Sequence, residues 1–289
     1  MTATYRPACG PAPFRLGLPA WAYPAWRGRW LDPSEPPLAS YARVLNAVEG
    51  NTTFYRIPDA RTVSAWRDAV RERDFRFCFK PPRAVTHDRR PDFRALATLL
   101  EALEPLDPWL GPLLLQFPAS VGPDELPRVR AVLEQIPSHL GRVVEVRHPA
   151  LFAEPAPLED LLDRHRAGLV CLDARAIHHT DPTHPEVAAA RHEKPDLPVR
   201  PVARNGTAFL RLVLHPQARW NEPYVEGWVD RCAAWLDAGT AVWTMIHCPE
   251  NGHCPGQAEA FHARLRASVG PGHLPPLPPW PVPRQGALL

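Results

Sequence analysis

The sequence predicts an α/β protein built as a single (β/α)8 TIM-type barrel, somewhat irregular around the sixth helix. Three observations carry that expectation. Eight short apolar runs alternate with segments whose apolar residues recur at helical spacing, which implies parallel strands covered on both faces. The 289 residues suit one such domain, since barrels of about 250 residues fold as single units. Most of the apolar runs end in polar or charged residues, and in this architecture sites collect at the C-terminal ends of strands. An open doubly wound sheet is the competing arrangement, but no glycine-rich phosphate fingerprint follows the first run.

The units follow in order. The first strand is 14–18, closed by an aromatic loop over 21–30. Leu38, Tyr41, Ala42 and Leu45 then repeat at helical spacing. The second strand opens into 48–56, where a carboxylate, an amide, two hydroxyls, two aromatics and a guanidinium crowd together. Asp59 is placed to cap a helix with Val63, Trp66 and Val70 on its apolar face. The third strand is 75–80 and its helix carries Phe93, Leu96, Leu100 and Leu103. The fourth is 111–116, followed by Leu126, Val129, Leu133 and Ile136. The fifth is 143–148, followed by Leu158, Leu161 and Leu162. The sixth, 168–173, leads into a His- and Pro-rich stretch over 175–205 with at most a short helix near 186–192. The seventh, 208–215, precedes a helix through Val225, Trp228, Val229, Cys232, Trp235 and Leu236. The eighth, 241–247, precedes one through Phe261 and Leu265. The expected organisation is an N-terminal arm over 1–13, the barrel over 14–273 and a Pro-rich, extended tail over 274–289.

Composition narrows the function classes. The 45% hydrophobic and 22% charged content is that of a globular protein. A net charge of +2 gives no bulk signal for nucleic acid or a membrane, so an anion site needs local placement of Arg and Lys. The 38 prolines sit mainly between periodic segments, as loop punctuation. No run of about 18 apolar residues exists to span a membrane. Residues 1–13 lack a secretory h-region, and six scattered cysteines read as reduced thiols, so a cytoplasmic protein is expected.

The strand ends carry ordered motifs: Trp21-x-Tyr-Pro-x-Trp26-Arg27-Gly28, Val48-Glu49-x-Asn51-x-Thr53-Phe54-Tyr55-Arg56 and Phe77-x-Phe-Lys80-x-Pro82-Arg83-x-x-Thr86-His87. Then come Leu115-Gln116-Phe117-Pro118, Val144-Glu145-x-Arg147-His148-Pro149, Leu172-Asp173-x-Arg175, Lys194-Pro195-x-Leu197-Pro198, Arg211-x-x-x-His215-Pro216 and His247-x-Pro249-Glu250-Asn251. On these motifs, from about Phe14 to the C-terminus, the chain resembles the YecE-like family, a bacterial and archaeal domain of unknown function. The resemblance implies a TIM-type barrel and carries no established reaction. Two departures stand out. The first strand ends Gly17-Leu18-Pro19-Ala20-Trp21 where the family usually has Gly-Thr/Ser-Ser-Gly-Trp. Gly50 stands where a bulky apolar residue is usual.

The expected site gathers Glu49, Lys80, His87, Glu145 and Asp173 as candidate catalytic residues. Trp21, Asn51, Tyr55, Gln116, Arg147, His148, Arg175, Arg211, His215 and His247 are candidate ligand-binding residues. Carboxylates facing cations can be purely architectural, because buried charges need partners. The mixture of acids, bases, Lys, Arg and aromatics instead suits an anionic, phosphorylated ligand with a planar part. Lys80 suits a fixed cation, or amine chemistry if its pKa falls. Glu49 and Glu145 suit general acid–base work if burial raises their pKa. Asp173 suits orienting Arg175 or His215.

The cofactor is left open. A divalent metal on Glu, His and Asp side chains is conceivable, but Lys80, Arg147 and Arg211 can supply the positive charge themselves. In 247–254 the Cys248-x5-Cys254 spacing is off the usual zinc pattern, and His178, His179, His184 and His192 read as a lid-like loop. The partner expected is a small anionic or phosphorylated ligand, with nucleic acid as an alternative, no membrane, and the oligomeric state open. The reactions considered are phosphoester hydrolysis, favoured by fold-level analogy, non-catalytic nucleotide or nucleic-acid binding, and sugar-phosphate isomerisation or lysis.

Overall fold

A computed structural model describes residues 13–181 and 183–281; the first twelve residues of the N-terminal arm and the last eight of the tail lie outside the described residues. Eight parallel strands form: β1 (Phe14–Gly17), β2 (Ala47–Gly50), β3 (Arg76–Phe79), β4 (Leu113–Gln116), β5 (Arg142–Glu145), β6 (Gly168–Asp173), β7 (Thr207–Val213) and β8 (Ala241–His247). Each overlaps a run picked out by the apolar pattern. The densely polar 51–56 is not strand: β2 stops at Gly50, and Thr52–Tyr55 turns into a short helix.

The strands do not close into one eight-stranded barrel, which corrects the expectation from the sequence. Six pair in the order β1-β8-β7-β6-β5-β4, while β2 and β3 form a separate two-stranded sheet. The two seams have physical causes. Between β1 and β2 two side chains largely stand in for a ladder: Asn46 Oδ1 accepts from the Leu16 N–H at 2.8 Å and its Nδ2 donates to the Phe14 carbonyl at 2.9 Å, while the Tyr41 hydroxyl accepts from the Leu18 N–H at 2.9 Å and donates to the Ala47 carbonyl at 2.8 Å, leaving one backbone bond, from the Glu49 N–H to the Leu18 carbonyl. The chains approach so closely there that a Cβ on Gly17 would lie 2.7 Å from the Ala47 carbonyl oxygen. Between β3 and β4 the pairing is confined to the Phe77–Leu110 bridge, with the Gly111 N–H donating to the Phe77 carbonyl at 2.8 Å. Pro112 follows at once and has no N–H to continue the ladder.

The helices follow their sequence signals. Asp59 caps the helix Ala60–Val70 by accepting from the Thr62 N–H at 2.8 Å. The stretch between β6 and β7 holds two short helices, Arg175–His178 and Pro185–Glu193. The helix after β8, Cys254–Val269, is longer than its apolar spacing suggested. The described part of the Pro-rich tail is anchored: Trp280 is buried and meets Trp30 edge-on at 5.5 Å.

The period of two along each strand separates two cores. One face packs on the helices as the main apolar cluster. The other faces inward, where Ala47, Cys78, Leu114, Val143, Val170, Phe209, Trp243 and Met245 meet as a buried layer drawn from β2 to β8. Gly50 lies on the helix-facing side, where a Cβ would lie 2.3 Å from the Phe79 ring of the main cluster. That ring fills the space a bulky residue at position 50 would need.

Candidate functional site

Two residues further along five of the strands, the inward layer turns from apolar to polar or charged. Ala47 is followed by Glu49, Cys78 by Lys80, Leu114 by Gln116, Val143 by Glu145 and Phe209 by Arg211; His247 lies four past Trp243. The alternation that builds the core thus delivers a ring of polar side chains to the C-terminal ends of both sheets.

Arg211 is the hub. It is buried, and its Nε and Nη2 donate to Glu49 at 2.8 and 2.9 Å, a bidentate pair, while its Nη1 donates to Glu145. Arg147 Nε donates to the other Glu145 oxygen at 2.8 Å. Lys80 Nζ donates to Gln116 Oε1 at 2.9 Å and lies 3.3 Å from Glu49 Oε1. His247 Nε2 lies 3.0 Å from Glu49 Oε2; a carboxylate only accepts, so this nitrogen carries the proton. The layer reaches solvent at its edge, through Lys80 and Arg147, whose side chains are 11% and 15% exposed.

The charges are tightly coupled. Burial pushes Glu49 up, but Arg211, His247 and Lys80 together hold its carboxyl well below the usual range. Burial also raises Glu145, and Arg211, Arg147 and Lys80 outweigh it, bringing it to about 2. Both acids are therefore ionised at neutral pH, the opposite of the raised pKa that acid catalysis would need. Burial lowers the Lys80 ammonium to about 8, with Glu49 opposing and Arg211 assisting. Burial takes His247 down to about 4 despite Glu49, so this imidazole is neutral.

The remaining predicted residues divide. His87 adjoins the cluster: burial and the charges of Arg83, Arg147, Lys80 and Arg128 lower it to about 4, and its ring meets Phe54 at 5.0 Å. Tyr55 stands at the rim, 83% exposed. Asp173 is saturated. It accepts from the Arg175 backbone N–H at 3.0 Å, from Arg175 Nε and Nη2 at 3.0 and 2.7 Å, and from Trp228 Nε1 at 2.6 Å, and Arg175 lies over the Tyr224 ring. Asp173 therefore orients Arg175. Four others serve loops. Trp21 packs edge-on against Trp66 and Phe77. Asn51 donates to the Pro19 carbonyl at 2.8 Å. His148 accepts from the Ala150 N–H at 3.2 Å. Buried His215 accepts from the Gln217 N–H at 3.0 Å and packs against His184.

Lys194 is the residue that reading strand ends missed. It sits at the end of the helix Pro185–Glu193, where its carbonyl lies 2.7 Å from His178 Nε2. Burial lowers its pKa, as do Arg211 and Arg147, and its charge is felt at Lys80 and His247. Among the described residues its ammonium has no hydrogen-bond or ion-pair partner. The signal that could have found it is compositional: the sequence holds only two lysines, Lys80 and Lys194. Four cations, Arg211, Arg147, Lys80 and Lys194, thus face two carboxylates, an excess of two positive charges. Among the described residues, no group of three or more His, Cys, Asp or Glu side chains is disposed to hold a metal ion. The five described cysteines are free and buried, and no described helix is long and apolar enough to cross a membrane.

Fold and site together define an α/β protein of eight parallel strands whose C-terminal ends carry a buried, arginine-centred charge layer. The chain belongs to the family described as Protein of unknown function DUF72, whose model matches residues 15–281. It is 32% identical over 270 residues to the UPF0759 protein YecE of Escherichia coli K12, covering 91% of this chain and 97% of that one; the O157:H7 strain gives the same figures. Two solved structures share the fold, each with a TM-score of 0.66. A DUF72 family protein from Enterococcus faecalis V583 is 17% identical, over 89% of this chain and 95% of that one. Another from Thermotoga maritima MSB8 is 20% identical, over 88% and 99%.

Proposed function

We propose that the charge layer at the strand C-terminal ends is the binding site of a small anionic ligand, phosphorylated or carboxylated. The observation that carries this reading is the excess of cations. Glu49 and Glu145 are already engaged by Arg211, Arg147 and His247, so Lys80 and Lys194 retain charge for a ligand. Arg147 offers a partly exposed guanidinium fork beside them. A purely architectural network would instead be expected to balance its charges.

Phosphoester hydrolysis asks for a base, and carboxylates held so far below their usual range are weak ones. Binding is therefore the conclusion, with any chemistry built on it. A second reading rests on Tyr55, exposed on the rim beside Phe54, which offers a face to a nucleobase. The test is a thermal-shift panel of phosphate, sugar phosphates, carboxylates, nucleotides and short oligonucleotides. A ligand at a hundred times its Kd stabilises the folded state by about 2.7 kcal/mol. Small phosphorylated or carboxylated compounds should raise the melting temperature of the wild type and not of Arg147→Gln. A response confined to oligonucleotides, abolished by Tyr55→Ala, would favour the second reading. Equal responses in wild type and Arg147→Gln would overturn the first.

A further inference from the structure

Of the 33 basic Lys and Arg residues in the chain, 31 are arginine. Every exposed cation on the described surface that meets an acidic partner is an arginine or histidine, as in Arg43–Glu35, Arg204–Asp163 and Arg264–Glu222. The two lysines nevertheless converge on one site, from β3 and from the loop before β7. Lysine differs from arginine in one decisive respect: its nitrogen can lose a proton and act as a nucleophile, whereas a guanidinium stays charged.

The surroundings of Lys80 fit that use. Its ammonium is not needed to neutralise Glu49, which Arg211 holds with two bonds and His247 with a third. The closest partner of Nζ is the neutral Gln116 amide oxygen at 2.9 Å. Arg211 and Lys194 bring like charge to bear on it, an arrangement that frees lysine amines in enzymes using Schiff bases. Burial adds to these charges and brings the ammonium down to about 8, so the neutral amine comes within reach near neutral pH. Lys194 has no carboxylate partner and is half-buried, so it suits the anionic end of the same molecule.

We propose that Lys80 forms a Schiff base with the aldehyde or ketone carbon of a small phosphate- or carboxylate-bearing substrate, whose anionic group is held by Lys194 and Arg147. This rests on the anion-site reading above and names the substrate class. The Lys80 ammonium gives up a proton and its nitrogen lone pair forms a bond to the carbonyl carbon, whose π electrons move to oxygen. That oxygen takes up a proton and the nitrogen releases its second one, giving a neutral carbinolamine. A second proton converts the hydroxyl into departing water as the nitrogen forms the C=N bond. The protonated imine carries the one positive charge that the ammonium carried, and one water is released. The protons pass to and from solvent, which reaches Lys80 at the edge of the layer, where its side chain is 11% exposed.

Having only two lysines makes the test clean. The full-length protein is incubated with glyceraldehyde 3-phosphate or with pyruvate, reduced with cyanoborohydride, and mapped by peptide mass spectrometry. A parallel calorimetric titration with inorganic phosphate reads the anion site alone. The expected result is a reduced adduct on Lys80 that inorganic phosphate suppresses, with total labelling about tenfold lower in Lys80→Arg, which keeps the charge and removes the amine. An adduct only on Lys194 or the terminal amine, or none at all, overturns the proposal. So does an adduct on Lys80 that phosphate does not suppress. Phosphate binding without trapping removes the Schiff base and leaves the anion site standing; neither binding nor trapping removes both. If Lys80→Arg does not fold, the wild-type peptide map decides alone.

Discussion

The two ends of the strands differ in kind. The N-terminal ends border an open groove of about 870 Å³, outlined among the described residues by Pro13–Leu16, 42–46, 72–74 and the tail from 272 to 278. Its charges are loosely held: Asp74, the partner of Arg15, is 71% exposed. The C-terminal ends show the reverse, with Glu49, Glu145 and Arg211 buried and bonded to one another. Size and chemistry point to opposite ends, and chemistry is the better guide. An open groove with solvated charges costs the fold little, whereas three buried charges must be compensated in detail.

Removing Arg211 should break that contrast most severely. Arg211→Leu strands two buried carboxylates and should cost about 3–5 kcal/mol in chemical denaturation, whereas Asp74→Ala at the other end should cost about 0–1 kcal/mol. Comparable losses at both ends would mean that the charge layer is no more tightly coupled than the surface. Next in size, Gly50→Val drives a side chain into the Phe79 ring on the helix-facing side of β2 and β3. It should cost about 1–3 kcal/mol, measured the same way.

Acid should expose the layer as well. Glu145 is held at about 2 and Glu49 is also lowered, so in the unfolded chain both take up protons at higher pH. Their stabilisation is complete above the ordinary carboxylate range and is lost as pH falls from about 4.5 towards 2. His247, lowered to about 4, works in the same direction between about 6.5 and 4, because the unfolded state binds its proton first. Lys80 should give the smallest effect, at the alkaline end. With its pKa near 8, the folded state sheds a proton earlier than the unfolded chain, so this residue makes stability rise with pH between about 8 and 10.5. Lys80→Met should remove that rise from a pH series of melting temperatures.

The contrast also explains what could be read from the sequence. Strand positions were legible because apolar alternation records burial directly, and Glu49, Lys80, Gln116, Glu145, Arg211 and His247 were legible because each stands two residues past an inward apolar one. Closure was not. β1 meets β2 through the side chains of Asn46 and Tyr41 and one backbone bond from the Glu49 N–H to the Leu18 carbonyl, and β3 meets β4 through a segment that Pro112 interrupts. Neither leaves a periodic trace. Pairing within the site was equally hidden: Asp173 and Arg211 look alike as strand-end charges, yet one is spent on Arg175 and Trp228 and the other joins two sheets. His148 and His215 carry motif chemistry but serve their own loops. Lys194 comes from the irregular stretch between β6 and β7, where spacing says nothing about what lies across the fold.

The central claim is that the charge layer holds an anion, and calorimetric titration of the wild type and Arg147→Gln with inorganic phosphate, at fixed ionic strength, addresses it most directly. A single site in the wild type, weakened at least about tenfold in Arg147→Gln, is the predicted result. No binding, or equal binding by both proteins, would contradict it and leave the layer as a brace between two sheets.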